Sequence, residues 1–400
     1  MKRLIQNKQN IWREKMQKIR WECLMKKRAL FYIAITLTSI LILSVSCIEQ
    51  KSKWQGTIEE LDGVTLYKNP KEPIYKEAVF SLEEELLIGE AESKDEFMFS
   101  QVIDVDVDYE GRIYILDSRE AHIKVFDIKG EYLATIGRKG QGPGEMQMPQ
   151  SIQITPQKEI MVNDMGTRKL LFFNFEGKFV RGVSTAKMTY FNNPVIDSKN
   201  NIIANITVPG MQMQTELKKF DSELEPIFTI DNIELFKLPV MKAFFPQFFW
   251  QMGEDDSLIW GISSKYELQV MNSEGKLYKK IIKDYDPEKI TEEDRQKELK
   301  FLFGDNPVPP GVKLEWPESQ GAFKYISIDE DGRIFLRTFE KTKDGGGFYY
   351  DVFNSEGKYI AKIPLKIKPQ VWKKNKLYTI EEDEDGYQYV KRCSVTWKIN

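Results

Sequence analysis

Histidine is nearly missing: a chain of 400 residues carries one, His122. A zinc or iron centre built mainly on imidazole cannot be assembled from it, so histidine-rich metalloenzymes are excluded. Cysteine is almost as scarce. Cys23, Cys47 and Cys393 match no metal or redox spacing, and an odd, sparse set is no disulfide framework. A basic excess is lacking as well. The formal net charge is -3, and ten Lys/Arg against two Glu before residue 47 leave 48 basic and 59 acidic side chains for the remainder. Such an acidic body argues against nucleic acid, whose phosphates demand a basic stripe.

One apolar run stands out. Lys26-Lys27-Arg28 precedes the apolar or small stretch Ala29 to Val45, and small residues lead on to Cys47. A basic n-region, an apolar h-region and a small-residue cleavage site are the marks of a secretory signal. Ending on Cys, the segment 25–46 resembles a lipoprotein signal, in which Cys47 is lipidated and becomes the mature N-terminus. Ser44 stands where Leu is usual, with Leu43 displaced by one. The competing reading is an uncleaved anchor, since about 17 apolar residues nearly span a bilayer. Either reading places the body outside the cytoplasm, held to the cell envelope on the periplasmic side or at the outer membrane. Residues 1–24 precede a good start at Met25 and are set aside as an extension annotated too early; 47–73 read as a linker.

From residue 74 onward a repeat dominates. Residues 104–137 hold four short strand patterns separated by turn signals at Glu110-Gly111, Asp117–Ala121 and Lys129-Gly130; period-2 alternation between Gly and Asp turns is the hairpin signal. The plan recurs over 151–183, 193–230, 248–282 and 322–365, and the phrases FNFEGKF, MNSEGKL and FNSEGKY occupy equivalent places. Each unit is a small sheet with two apolar faces that must stack on neighbours. A sixth unit needs both termini: three strands near 371–399 and a fourth at 78–89, which would close the ring without a free edge. The expected architecture is all-β, a six-bladed propeller of four-stranded blades. Residues 284–321 depart from it. Thr291-Glu-Glu-Asp294 is a capping-box pattern opening a helix to about Phe303, followed by a Pro-rich stretch. The aromatic run Phe236–Trp250 reads as core strand and blade packing, with an exposed binding patch as the alternative.

The segment GRIYILDSREAHIKVFDIKGEYLATIGRKGQGPGEM, 111–146, and the closing LYTIEEDEDGYQYVKRCSVTWK, 377–398, resemble the NHL-type six-bladed propeller lipoproteins of bacteria. The resemblance implies a fold and almost no function, because propellers host enzymes, scaffolds and receptors alike. Amidating lyases among NHL relatives use several histidine ligands, so their chemistry does not carry over. Gluconolactonase-like propellers hold a divalent metal on carboxylates and amides, for which Asp104, Asp106, Asp164 and Asn193 come into question. Acidic residues at such turns commonly cap backbone groups instead.

The Gly-rich run 137–144 lacks the Lys-Ser/Thr pair of a phosphate loop and reads as a blade-to-blade crossover. On the face that carries such crossovers, Arg119, His122, Arg138, Lys139, Arg168, Lys169, Trp260 and Lys265 are the candidate ligand-binding residues, with solvated loop charge as the plainer reading. Arginine there would suit ligand carboxylate or sulfate. No nucleophile–base spacing is present. The chain is therefore expected to be a monomeric recognition propeller for a peptide, glycan or protein, tethered to the membrane through Cys47 and without a cofactor. A metal-dependent hydrolase or lactonase (using Ca²⁺, for example) is the second reading, and a scaffold in an envelope complex the third.

Overall fold

The turn phrases do the same work in each repeat. Asn174, Asn272 and Asn354 accept through Oδ1 the backbone N–H of Lys178, Lys276 and Lys358 at 2.8, 2.9 and 2.9 Å. The intervening Gly177, Gly275 and Gly357 have φ of 78, 84 and 108°, a region in which a Cβ is strained. Each turn joins the third strand of a unit to its fourth. The computed structural model describes residues 53–89, 94–210, 212–237 and 239–399, and the isolated positions 15, 16, 21 and 25. Nearly all of the expected signal 25–46, and Cys47 itself, lie outside the described residues.

Six sheets of four to six strands and one two-stranded ribbon are formed among the described residues. The innermost strands of the six are Val102–Val107, Pro149–Ile154, Phe191–Ile196, Phe248–Met252, Tyr325–Ile328 and Val371–Lys373. We number the blades one to six in that order. The sixth combines three C-terminal strands with Phe80–Ile88, which pairs antiparallel with Gln388–Trp397. The second strands of blades one and two, Ile113–Asp117 and Ile160–Asp164, are buried at every position, because both faces of a blade pack on neighbours. Apolar clusters accordingly form between blades: one joins Tyr114, Leu116 and Ile123 of blade one to Ile152, Ile160 and Val162 of blade two.

Polar bolts supplement this packing. Between blades four and five, Asp351 is 2% exposed. It accepts hydrogen bonds from the hydroxyls of Tyr266 and Tyr359 and lies 3.3 Å from Lys283 Nζ. Burial, followed by the Asp351 charge, raises both tyrosines well above their ordinary range. Phe248 and Trp250 of the aromatic run are buried, at 5 and 9% exposure, whereas Phe244, Phe245 and Phe249 are half-buried. Alternation along the strand divides the run between core and surface.

The expected linker is corrected in part. Thr57–Leu61 and Val64–Asn69 form a hairpin, and its second strand pairs in parallel with Leu277–Lys283, the outer strand of blade four. Asp62 and Gly63 take φ of 52 and 77°, as a two-residue turn between twisted strands requires. Asn69 then acts as a knot. It is 3% exposed, accepts from Trp54 Nε1 at 2.9 Å and from Tyr359 N–H at 2.7 Å, and donates to Gly357 O at 2.9 Å. The hairpin covers an edge that would otherwise expose unpaired backbone groups.

The segment after blade four holds the helix Glu292–Phe303, with Thr291 and Asp294 forming a reciprocal capping box. Lys313–Glu315 pairs in parallel with Val240–Lys242, which extends the sheet of blade three. Glu298 accepts the Phe244 N–H at 2.7 Å, and Trp316 lies between Phe244 and Arg295 at 6.0 and 4.7 Å. The helix is thereby held against residues 240–245, although none of its own residues is buried.

Candidate binding site at the channel mouth

The six innermost strands present alternate side chains to a central channel. Its lower part is a cavity of about 380 Å³ between Asp106, Gln153, Glu254, Glu330 and Lys373. Lys373 Nζ bonds Glu254 at 2.9 Å and lies 5.2 Å from the Tyr109 ring, a bridge between blades six and four at the lower rim. The upper part, about 620 Å³, is lined largely by neutral amides and hydroxyls, among them Gln150, Ser151, Asn192, Asn193, Gln251 and Gln370. It adjoins a groove of about 1020 Å³ between the 284–321 segment and blades four and five. Phe245, Gln247 and Phe249 border both spaces.

Two channel carboxylates stitch blade one to blade two. Asp104 accepts the N–H of Val105 at 3.0 Å and of Ile152 at 2.9 Å; Asp106 accepts those of Val107 at 2.7 Å and Ile154 at 2.6 Å. Removal from bulk water pushes Asp104 up to about 7 and Asp106 to about 6, against the lowering effect of those backbone donors. Asn193 lines the same channel. Asp164 does not: it is buried and gathers the N–H of Gln147 and Met148 and the Thr167 hydroxyl at 3.1, 2.6 and 2.6 Å. Asp117 collects the Ser100, Gln101 and Glu120 amides in the same way. Among the described residues no group of three or more His, Cys, Asp or Glu is placed to hold a metal ion.

The residues singled out from the sequence as ligand-binding candidates do not converge, and none of these eight borders the channel or the groove. Arg119, Lys169 and Lys265 are exposed. Arg138, its side chain 80% exposed, pairs with Glu145 at 2.7 Å inside the crossover. Arg168 donates to Ala186 O and Met188 O at 2.7 and 2.9 Å, tying two loops together. His122 is half-buried, its Nε2 has no partner, and burial lowers its pKa. Trp260 is corrected: it is 4% exposed, packed in the core of blade four, with Nε1 bonded to Asp231 at 3.0 Å. It belongs to the second strand Leu258–Ile262, where both faces are covered.

What the sequence did not single out is the end of blade five at the mouth. Lys324 and Lys368 border the groove and the upper channel. Arg337 sits opposite Tyr325 in the strand register, with its guanidinium 3.9 Å over Phe348. Strand pairing sets Arg337 opposite Tyr325, and Lys368, in the connection to blade six, lies 4.6 Å from the Tyr325 ring; no local motif signals the grouping.

A family model described as a 6-bladed beta-propeller, DUF5128, matches residues 90–229. No curated protein matches the chain in sequence. Among solved structures, a Bacteroides fragilis protein described as exported is 12% identical, with 83% of this chain and 99% of that one aligned at a TM-score of 0.54. A member of the duf4221 family from Bacteroides vulgatus is 14% identical, with 80 and 100% of the two chains aligned at 0.54. Virginiamycin B lyase from Staphylococcus aureus aligns at 0.42 with 12% identity, over 79 and 99% of the chains. Sheet topology, the matching family model and the two full-length folds together make this chain a six-bladed β-propeller.

Proposed function

We propose that this is a lipid-anchored extracytoplasmic recognition propeller whose ligand seats at the upper channel mouth. One observation carries the reading: a groove and an amide-lined channel adjoin there, walled by the half-buried Phe245 and Phe249 and flanked by charged side chains. A concave site with aromatic walls and a few convergent polar groups is what small-ligand recognition uses. Anchoring rests on the leader ending at Cys47, and export is in keeping with the Bacteroides fragilis protein of similar fold. Among the described residues no helix is long and apolar enough to cross a membrane.

Two experiments test this. Mass spectrometry of the full chain expressed in a bacterial host should find a lipidated Cys47 as the mature N-terminus, and Cys47→Ala should abolish it. An unmodified Cys47 refutes the anchor. Titration with panels of oligosaccharides and peptides should find a ligand whose affinity falls about tenfold or more in Phe249→Ala, the truncation cost of a buried aromatic anchor. Binding indifferent to Phe249 moves the site elsewhere.

A hydrolase or lactonase is the second reading. Its support is that Asp104, Asp106 and Asn193 share the channel and that Asp104 is held near neutrality, a trait common at catalytic sites. Against it, all four carboxylate oxygens already accept backbone N–H groups. Stoichiometric Ca²⁺ uptake lost in Asp106→Asn would favour it.

A further inference from the structure

We propose that Lys324, Arg337 and Lys368 form a subsite for the carboxylate or sulfate of an acidic saccharide bound at the channel mouth. The inference rests on the recognition reading and names the ligand class.

The three cations lie along one end of blade five. Arg337 and Lys324 share the Phe348 ring, their charged ends 3.9 and 5.8 Å from its centroid. Lys368 Nζ lies 4.6 Å from the ring of Tyr325, the residue directly opposite Arg337. Among the described residues none of the three has a carboxylate within ion-pair distance, and Arg337 Nε is buried without a hydrogen-bond partner. Desolvation of the ammonium end, and then the Arg337 charge, holds Lys324 below its ordinary range although the residue as a whole is exposed; Lys368, likewise exposed, is lowered by desolvation, with Asp104 opposing.

Four of the five acidic side chains that line the groove, Glu288 being the fifth, hold partners of their own. Glu298 accepts the Phe244 N–H at 2.7 Å, Glu293 pairs with Lys297 at 2.6 Å, Glu340 with Lys362 at 2.5 Å, and Asp294 caps the helix. Asp104 faces Lys368 but holds its proton up to about pH 7. The three cations are therefore left without a direct carboxylate partner, and an anionic group with several acceptor oxygens fits an arginine–lysine set.

The rest of the site argues for a sugar. The channel offers Gln150, Asn192, Asn193, Gln251 and Gln370, each with a donor and an acceptor to meet hydroxyl groups that also do both. Phe245 and Phe249 supply flat apolar walls beside them. An extended peptide would instead call for side-chain pockets at alternate positions.

The test is calorimetric titration of the protein with oligogalacturonate against its methyl ester, and with dextran sulfate against dextran. Each anionic member should bind about tenfold or more tightly than its neutral partner, the value of one charge-assisted contact, and should weaken with added salt. Arg337→Gln and Lys368→Gln should each remove about tenfold from the anionic ligand and leave the neutral one unchanged. Lys368 is exposed, so its variant serves if Arg337→Gln disturbs the Phe348 stack. Equal binding of charged and neutral members overturns the subsite and leaves recognition at the mouth standing. A glutamate-rich peptide binding more tightly than either sugar overturns the saccharide assignment. No binding to any of these probes, or to the wider panel, removes the recognition reading itself.

Discussion

The stability of this propeller should respond to pH through Asp104, and Asp104→Asn should remove that response, so that the stability difference between variant and wild type changes sign with pH. Removal from water pushes the carboxyl to about 7 from 3.8. Between those values the folded protein keeps a proton that the unfolded chain has released. The contribution is whole below pH 3.8 and is lost as pH rises through about 7. At about 1.4 kcal/mol per unit, the full shift would be worth roughly 4 kcal/mol. Asp104 is partly exposed to the channel, however, and water there screens part of the effect, so we expect about 2 kcal/mol. An asparagine has one acceptor oxygen where the carboxylate uses two, on Val105 and Ile152; losing one such bond costs about 1 kcal/mol at every pH. The variant should then be less stable than the wild type by about 1 kcal/mol near pH 3 and more stable by a similar amount near pH 8. Urea unfolding followed by tryptophan fluorescence measures both curves, and their difference cancels every other titrating group. Parallel curves without a crossing refute the argument.

Three further outcomes follow from particular contacts. Asp351→Asn leaves the Lys283 ammonium, whose side chain is 7% exposed, without its counter-charge; this should cost about 3 kcal/mol in urea unfolding, and adding Lys283→Met should recover most of it. Asn69→Ala removes the knot that joins Trp54, Gly357 and Tyr359; we expect a loss of about 2–3 kcal/mol and, in limited proteolysis, new cleavage between residues 53 and 79. Binding of an anionic ligand at the mouth should strengthen from pH 8 to pH 5.5, because Asp104 becomes neutral beside Lys368; a flat titration profile contradicts the pairing.

Local chemistry made much of the fold legible. The Asn-x-x-Gly-Lys turns of blades two, four and five recur because one side-chain oxygen and one glycine at positive φ suffice to build them. The capping box at Thr291 is likewise contained within four residues. The hairpin 57–69 has a local signal in the pair Asp62-Gly63 between alternating segments, but its charged outer strand, Thr57–Leu61, reads as linker because every residue there is exposed. Trp260 was misplaced for the opposite reason. Its strand has both faces covered, so a tryptophan there is core whatever its neighbours suggest. The candidate site was not legible. Lys324 and Lys368 stand far apart in sequence and reach the same end of blade five only in the folded chain, and a cation without a carboxylate looks the same in a sequence as one that has found its partner.

The most direct test of the central claim, that recognition occurs at the upper channel mouth, is hydrogen–deuterium exchange of the protein with and without its tightest-binding oligosaccharide. The account predicts added protection at 243–251, 320–324 and 366–370, with the outer strands and the lower turns unchanged. Protection confined to the lower rim around Glu254 and Lys373, or to the outer edges of the blades, would contradict it.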